Sequence, residues 1–531
     1  MQSAYGACLR ARLVLTLLAV AGTSAGCGGG GGSTTPPSIP AVPTGVQAAA
    51  GDSQVTISWS AEADAASYNI YWSTADGVTR ANGTRISATA TPYIATGLTD
   101  GTTYYYIVTA VNQAGESAAS AQVSVVPVAA NACVATTPAS LLSCAAEVQA
   151  GTRSVIEIEG TLVCSGAGAC KVSINGMPVT IRGAVGASIQ RIDHHDYPLL
   201  QVINSPQAAI SNLVIDEDAT VSCTPVSPTN PPVENPSCGR SLDLYGVSDV
   251  TLDHLTIAGS KSVAAFLDTC GNASVTHVRF VSSYLFGLEI TGLTGTLVVQ
   301  DSLFWHSASN GLVLFDAHGT SQAPLLLTRS LFEHNNRADV YYVCGPQANA
   351  LCSAGQLLIN GKVDFLRVEK SVMRLGSSDI GATPVGGVEI NTPSIHDLTF
   401  AGNDIHTHGM WGVTLDSNPV DVARISFVDN KLYDNGRDPA YLGVDIGNFP
   451  SGVMTESGDC HSAGCAIVPV GALWALPGGA VSWVSNDLAN PTVAVNGTAV
   501  ATAANGQITA ASGATVVLLD GSTEIDRLIV P

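Results

Sequence analysis

Lysine is nearly missing from this chain of 531 residues; Lys171, Lys261, Lys362, Lys370 and Lys431 are all it has. With arginine included, 21 basic residues face 42 acidic ones, a formal net charge of −21. Phosphate binding needs clustered Lys and Arg, so nucleic acid is excluded as a partner. Helix formers such as Lys, Glu and Gln are sparse, and no ten-residue helical pattern separates the apolar segments, which excludes ordinary βαβ units. The apolar run 13–21 is too short to span a bilayer. No cysteines show the double Cys-x-x-Cys spacing of a zinc site.

What is present is a repeat. Between residues 212 and 447 one short pattern returns eight times: Asn212-Leu-Val-Ile215, His254-Leu-Thr-Ile257, His277-Val-Arg-Phe280, Asp301-Ser-Leu-Phe304, Arg329-Ser-Leu-Phe332, Lys370-Ser-Val-Met373, Gly402-Asn-Asp-Ile405 and Asp429-Asn-Lys-Leu432. The fourth position is always large and apolar, and the second shares its environment, which is the two-residue period of a strand. A second strand follows each return, as in Gly287-Leu-Glu-Ile290 or Gly412-Val-Thr-Leu415, and a third short one precedes it, as in Val250-Thr-Leu252. Three strands per repeat mark a solenoid. The pattern resembles a right-handed parallel β-helix of the pectate-lyase type, so the fold class expected is all-β, with this solenoid over 131–465. A short helix, 139–150, with Leu141, Leu142, Ala145 and Val148 on one face, is expected to cover its open end.

Upstream, Val55-Thr-Ile-Ser-Trp59, Tyr68-Asn-Ile-Tyr-Trp72 and Leu98-Thr-Asp-Gly-Thr-Thr-Tyr104 read as strands of a sandwich, the last with a tyrosine able to bond back to a corner. Residues 41–128 resemble a fibronectin type III domain, which implies a spacer or weak binder. Residues 1–26 carry Arg10 and Arg12 before the apolar run and read as an export signal. Cys27 follows Ser24-Ala25-Gly26 and resembles a bacterial lipoprotein cleavage site, with Ser24 where such sites usually carry Leu. That resemblance implies lipidation of Cys27 and membrane attachment at an outer-membrane or cell surface; cleavage after Ala25 would instead release a soluble protein. Residues 27–40 form a Gly/Ser/Thr/Pro tether. Of the eleven cysteines beyond Cys27, ten fall into close pairs, 133/144, 164/170, 223/238, 344/352 and 460/465, leaving Cys270, as expected of loop-closing disulfides in an oxidising compartment. Residues 466–531 form an end cap or a small extra β module, and a monomer is expected.

Long segments at 219–240, 377–386 and 436–441 come just before the Gly-Val-x-Leu strand, and others at 316–323, 344–355 and 447–465 just after it. That strand column is therefore the floor of a walled groove, where binding residues collect. With Leu244, Leu267, Ile290, Leu314, Ile390, Leu415 and Ile446 pointing in, the neighbours point out. Asp243, Asp268 and Glu289 then zigzag over three coils, as do Glu389, Asp416 and Asp445. Carboxylates that close repel unless a cation sits between them, and oxygen-only ligands favour Ca²⁺; a solvated acidic face is the alternative. Tyr245, Phe266, Phe315 and Tyr341 offer flat faces for sugar rings, or support for overlying loops.

Phe315-Asp-Ala-His318 resembles the Asp-Pro-His element of alginate epimerases and related β-helix lyases, with Ala317 in place of the proline and no lysine nearby in sequence. That resemblance covers Asp316 and His318; His334 and Arg337 come from the neighbouring coil and complete the candidate catalytic set, in which His318, His334 or Arg337 would be the base of a β-elimination. His406-Thr-His408 reads as surface. The expected function is a polysaccharide lyase or epimerase acting on a uronate-containing polysaccharide. Alternatives are a non-catalytic glycan-binding or adhesive protein, and a glycoside hydrolase using Asp316 with Glu289.

Overall fold

A computed structural model describes residues 38–530 apart from 52, 90, 128–130, 166–167, 193–196, 218–225, 228–232, 235–238, 308, 336–354, 375–385, 409–410, 416–420, 436–444, 448, 463–467 and 477. The calls on Cys27, Arg337, Tyr341 and Asp416 lie outside the described residues, as do members of the 223/238, 344/352 and 460/465 pairs.

The first unit is a two-sheet sandwich. Gln47–Gly51, Gln54–Ser58 and Tyr93–Thr96 form one sheet, and Thr84–Thr89, Ser67–Ser73, Tyr104–Asn112 and Gly115–Glu116 run along the other. Trp59 and Tyr68 meet edge to face at 5.1 Å in its core. The Tyr104 hydroxyl accepts the Thr99 amide proton at 3.0 Å, the corner bond that the sequence suggested.

The second unit is a parallel β-helix, each coil contributing one strand to each of three sheets. The floor sheet contains Leu242–Tyr245, Ala265–Asp268, Leu288–Thr291, Leu312–His318 and Gly355–Asp364, all parallel neighbours in that order. A flank sheet follows, with Asn272–Thr276 and Leu297–Gln300. The back sheet carries the returns, as in Arg279–Val281, Leu303–Trp305 and Leu331–Glu333. The first residue of all eight returns is a corner: Asn212, His254, His277, Asp301, Arg329, Lys370, Gly402 and Asp429 have φ between 46° and 62°. Left-handed residues bend the chain sharply within one position, and Asn, Asp and His tolerate them better than other non-glycines.

Inside, Phe280, Phe304 and Phe332 stack on successive coils at 5.0 and 4.4 Å. The second return position is a buried polar ladder. Each oxygen accepts an amide proton from the coil before: Val278 to Ser302, Ser302 to Ser330, Ser330 to Ser371, Ser371 to Asn403, and Asn403 to Asn430. The ladder satisfies donors that the corner leaves out of the sheet.

The helix, Pro138–Gln149, starts at Thr137 with a reciprocal capping box. It buries Leu141, Cys144, Ala145 and Val148. Cys144 takes the inward place expected of Leu142 because it is bonded to Cys133 on the first strand. Cys164–Cys170 is the second disulfide, and Cys270 is a buried free thiol.

The C-terminal segment forms two small antiparallel sheets. It does not close the solenoid's end: Val470, Ala472, Trp474 and Val484 pack with Ala258, Val281, Leu303, Leu331 and Val372 on the outside of the back sheet. Arg279 reaches across, its guanidinium 2.6 Å from Asp526 with both side chains buried. The surface reading of His406-Thr-His408 is corrected as well. His408 is fully buried, Nε2 3.0 Å from the Met373 carbonyl, and His406 stacks on Tyr433 at 4.6 Å.

Burial lowers the pKa of His406 to about 4 and that of His408 to about 3. Both are neutral in the folded state and would charge on unfolding in acid, so the stability they add is complete above the ordinary histidine value. It is lost as pH falls from there toward the folded values. The melting temperature should drop between neutral pH and about pH 4, a fall shallower in His408→Gln; an unchanged slope in that variant would refute the assignment.

Candidate functional site

The floor column holds the expected parity. Leu244, Leu267, Ile290 and Leu314 are fully buried, while Asp243, Phe266, Asp268 and Glu289 are partly exposed and Tyr245 is 45% exposed. Asp243, Phe266, Glu289, Val313, Leu358, Glu389 and Thr414 form one outward row, and Tyr245, Asp268, Thr291, Phe315, Asn360 and Asn391 the next. Two registers differ from expectation. The floor strand after Leu312–His318 is Gly355–Asp364, so Leu358, paired with Val313, occupies the outward place expected of Tyr341, and Asn360 follows beside Phe315. Ile446 pairs with Val413 and not Leu415, which moves Asp445 off the floor to a turn, 2.7 Å from His461 Nδ1. The stretches between Glu217 and Leu242, Glu333 and Gly355, Arg374 and Gly386, and Tyr433 and Ile446 all lead from a back strand into a floor strand. These four stretches therefore enter the floor from the same edge, and 344–355 precedes the floor strand instead of following it.

The Asp243, Asp268 and Glu289 carboxylates sit on successive floor coils, but their donors do not gather as a three-ligand group. Arg240 supplies the positive charge there: its guanidinium is 3.2 Å from Asp243 Oδ1 and lies over the Phe266 ring at 3.7 Å. Gln201 Nε2 donates to the other Asp243 oxygen at 2.9 Å. These donors do not fit Ca²⁺ while Arg240 stays in place. Burial raises the Asp268 pKa, opposed by Arg240 and reinforced by Asp243. Farther along, Val313, Leu358, Glu389 and Thr414 are buried, so the open floor is the earlier half of the first row together with the second row.

Of the expected catalytic set, His334 is not brought to Asp316 and His318. His318 ends the floor strand Leu312–His318, whereas His334 follows the back strand Leu331–Glu333 and stands before the next floor strand, so the two lie on opposite edges of the floor. His334 sits on a left-handed corner at the entry edge, Nδ1 3.5 Å from Glu333 and edge-on to His306 at 5.0 Å. Asp316 is a corner residue too; its Oδ1 accepts the Lys362 amide proton at 2.7 Å, and a Cβ on Gly361 would collide with that carboxylate.

At the exit edge the coils assemble what the sequence reading missed. His318, Asp364 and His396 are in register on three successive coils. His318 Nδ1 is 3.3 Å from Asp364 Oδ2, Asp364 Oδ1 is 3.2 Å from His396 Nδ1, and His396 Nε2 is 2.9 Å from Asp421 Oδ1. Lys362 Nζ lies 3.9 Å from Asp364 and is half exposed, so the lysine absent in sequence comes from the next coil. A signal existed: Ala317-His318, Val363-Asp364 and Ile395-His396 each place a polar residue after an inward apolar one, just past the floor. In the tautomer that donates from Nδ1 to Asp364, His318 Nε2 is left as an acceptor, the arrangement an oriented general base requires.

Residues 41–126 match the fibronectin type III domain. A poly(3-hydroxybutyrate) depolymerase of Ralstonia pickettii is 46% identical over 112 residues, 20% of this chain; the chain spans only 20% of that enzyme's length. A fibronectin-like protein of Clostridium thermocellum is 34% identical over 16% of this chain and 92% of its own, with a TM-score of 0.15. A family 28 exopolygalacturonase of Yersinia enterocolitica is 12% identical, covering 79% of this chain and 98% of its own, with a TM-score of 0.27.

The His396 pKa is raised above 6.5, first by its hydrogen bond to Asp421 and then by Asp364. Its charge pairing therefore stabilises the fold below the ordinary histidine value and fades as pH rises through the folded one. Nuclear magnetic resonance titration should place its midpoint above that of an exposed histidine, with Asp421→Asn lowering it more than Asp364→Asn. Equal midpoints in all three proteins would refute the ladder.

Proposed function

We propose that the floor groove binds an extracellular polysaccharide containing uronate units and cleaves it by β-elimination at the exit edge. The observation that carries this reading is the partly exposed His318, within reach of Asp364 and set beside Lys362 at the end of a floor lined by Phe266, Phe315 and polar side chains. His318 Nε2 takes the proton α to the uronate carboxylate, and Lys362 offers its charge to the enolate as it forms. The electron pair closes a C4=C5 double bond, the C4–O bond breaks, and the leaving oxygen takes a proton from solvent. The protein's net charge of −21 would repel such a polymer, so local cations must do the recruiting. Lys362, Arg240 and a protonated His396 are placed for that. Calcium on Asp243, Asp268 and Glu289 would have to displace Arg240, and no step is assigned to it.

Incubation with alginate, pectate and glycosaminoglycans, with and without Ca²⁺, should give unsaturated ends detected by ultraviolet absorbance. His318→Ala should lower kcat by ~100-fold or more, the scale of lost general-base catalysis, and Lys362→Ala should reduce kcat/KM. Binding without turnover on every polymer would favour the adhesive reading. Hydrolysed ends lacking a double bond would favour a hydrolase.

The exported, surface-anchored location belongs to the same proposal, resting on the cysteine that precedes a glycine tether. Palmitate labelling in a bacterial host should tag the wild-type chain and spare Cys27→Ala; equal labelling would remove the anchor.

A further inference from the structure

A second constellation lies on the corner between flank and back sheets, away from the floor. Among the described residues, the set of at least three metal-ligating side chains whose donor atoms all fall within 4.8 Å of one another is Asp253, His254 and His277. His254 Nδ1 is 2.8 Å from Asp253 Oδ2, and His277 Nδ1 is 3.8 Å from Asp253 Oδ1. The two imidazoles stack at 4.5 Å with 18° between their planes. His277 Nδ1 is a buried atom without a hydrogen-bond partner. At 3.8 Å it is too far from the carboxylate to share a proton, yet close to the ~3.4 Å that separates two ligands of one tetrahedral ion with ~2.1 Å bonds.

The scaffold fixes these groups. His254 and His277 are left-handed corners of adjacent coils, with φ of 50° and 53°, so their rings are offset by one coil rise. Thr276 donates to Asp253 Oδ1 at 2.6 Å. Asp301, the next corner, sits 3.9 Å from His277 Nε2 and is itself held by both arms of Arg329 at 2.8 Å. A carboxylate behind the distal nitrogen is the arrangement that turns a ligating histidine toward its metal. Both histidines line a cleft of about 610 Å³ that also touches Thr102 of the sandwich and Asp526 of the C-terminal module.

We propose that Asp253, His254 and His277 bind a divalent first-row transition ion, with open coordination positions facing this cleft. Two imidazoles and one carboxylate suit such an ion better than the oxygen-only ligands that calcium prefers. The site is independent of the floor groove and of any reaction there.

The test uses the full chain, stripped by chelator and then titrated with Zn²⁺ by calorimetry and with Co²⁺ by visible absorption. The expectation is one tight site per chain, a low-coordinate Co²⁺ spectrum, and a melting temperature that rises with Zn²⁺ concentration. His277→Asn, which keeps a residue tolerant of the left-handed corner, should weaken Zn²⁺ by at least ~100-fold while leaving the metal-free melting temperature near wild type. His254→Ala should weaken Zn²⁺ as much, with some loss of metal-free melting temperature because alanine tolerates that left-handed corner less well, and the paired change His318→Ala with His396→Ala should leave affinity unaltered. Three results would overturn the proposal: no Zn²⁺ bound by the wild type, affinity unchanged in His277→Asn and His254→Ala, or affinity lost only when His318 and His396 are removed.

Discussion

The rise of one coil on the next is the constraint from which everything else follows. Parallel strands stack at about 4.8 Å, and a residue repeated at the same place in the coil meets its own kind above and below. In the interior this gives the phenylalanine stack and the Ser/Asn ladder, where a like-with-like column is favourable. On the outside the same rule forces titratable groups into files. A file of one charge sign would be repulsive, and the described files are mostly mixed. Asp301 meets Arg329, Asp397 meets Arg424, and Asp364 lies between His318 and His396. Histidine next to aspartate along a column is thus partly an answer to stacking itself, and it leaves poised imidazoles wherever solvent can reach them.

The fold was readable because periodicity two and the recurring apolar fourth position are local properties. The corner residues were also in plain view as the first letter of each return, but Asn, His, Asp, Arg, Lys and Gly look unlike one another. Only their common positive φ unites them. The site was less readable because register crosses the insertions. Tyr341-Tyr-Val343 is as apolar as Leu357-Leu-Ile359, and nothing nearby in sequence says which of the two pairs with Leu312–His318. One wrong coil hid the neighbourhood of Lys362 and Asp364, since they lie 44 and 46 residues past His318. Similarly, the acidic zigzag over Asp243, Asp268 and Glu289 was correctly phased, but Arg240 stands ahead of the strand, where the two-residue period does not give the direction of its side chain.

The position of the C-terminal module narrows where a polymer could bind. It lies against the outside of the back sheet, burying Trp474 and Val484 against coil residues such as Leu303 and Leu331. The N-terminal helix packs into the core at the first coils, and the sandwich reaches the next corner, where Gly101 comes against the buried Glu157–Arg182 pair. Back sheet, first end and one corner are thereby occupied by the chain itself. Among the described residues neither flanking unit packs against the floor sheet, and four long stretches lead into it. A groove of this kind needs no pocket: a polymer is held by repeated shallow contacts along the coil axis, and the chemistry need sit on only one edge. His318 and Lys362 occupy such an edge, one coil apart, with the row of Phe315, Asn360 and Asn391 leading to them.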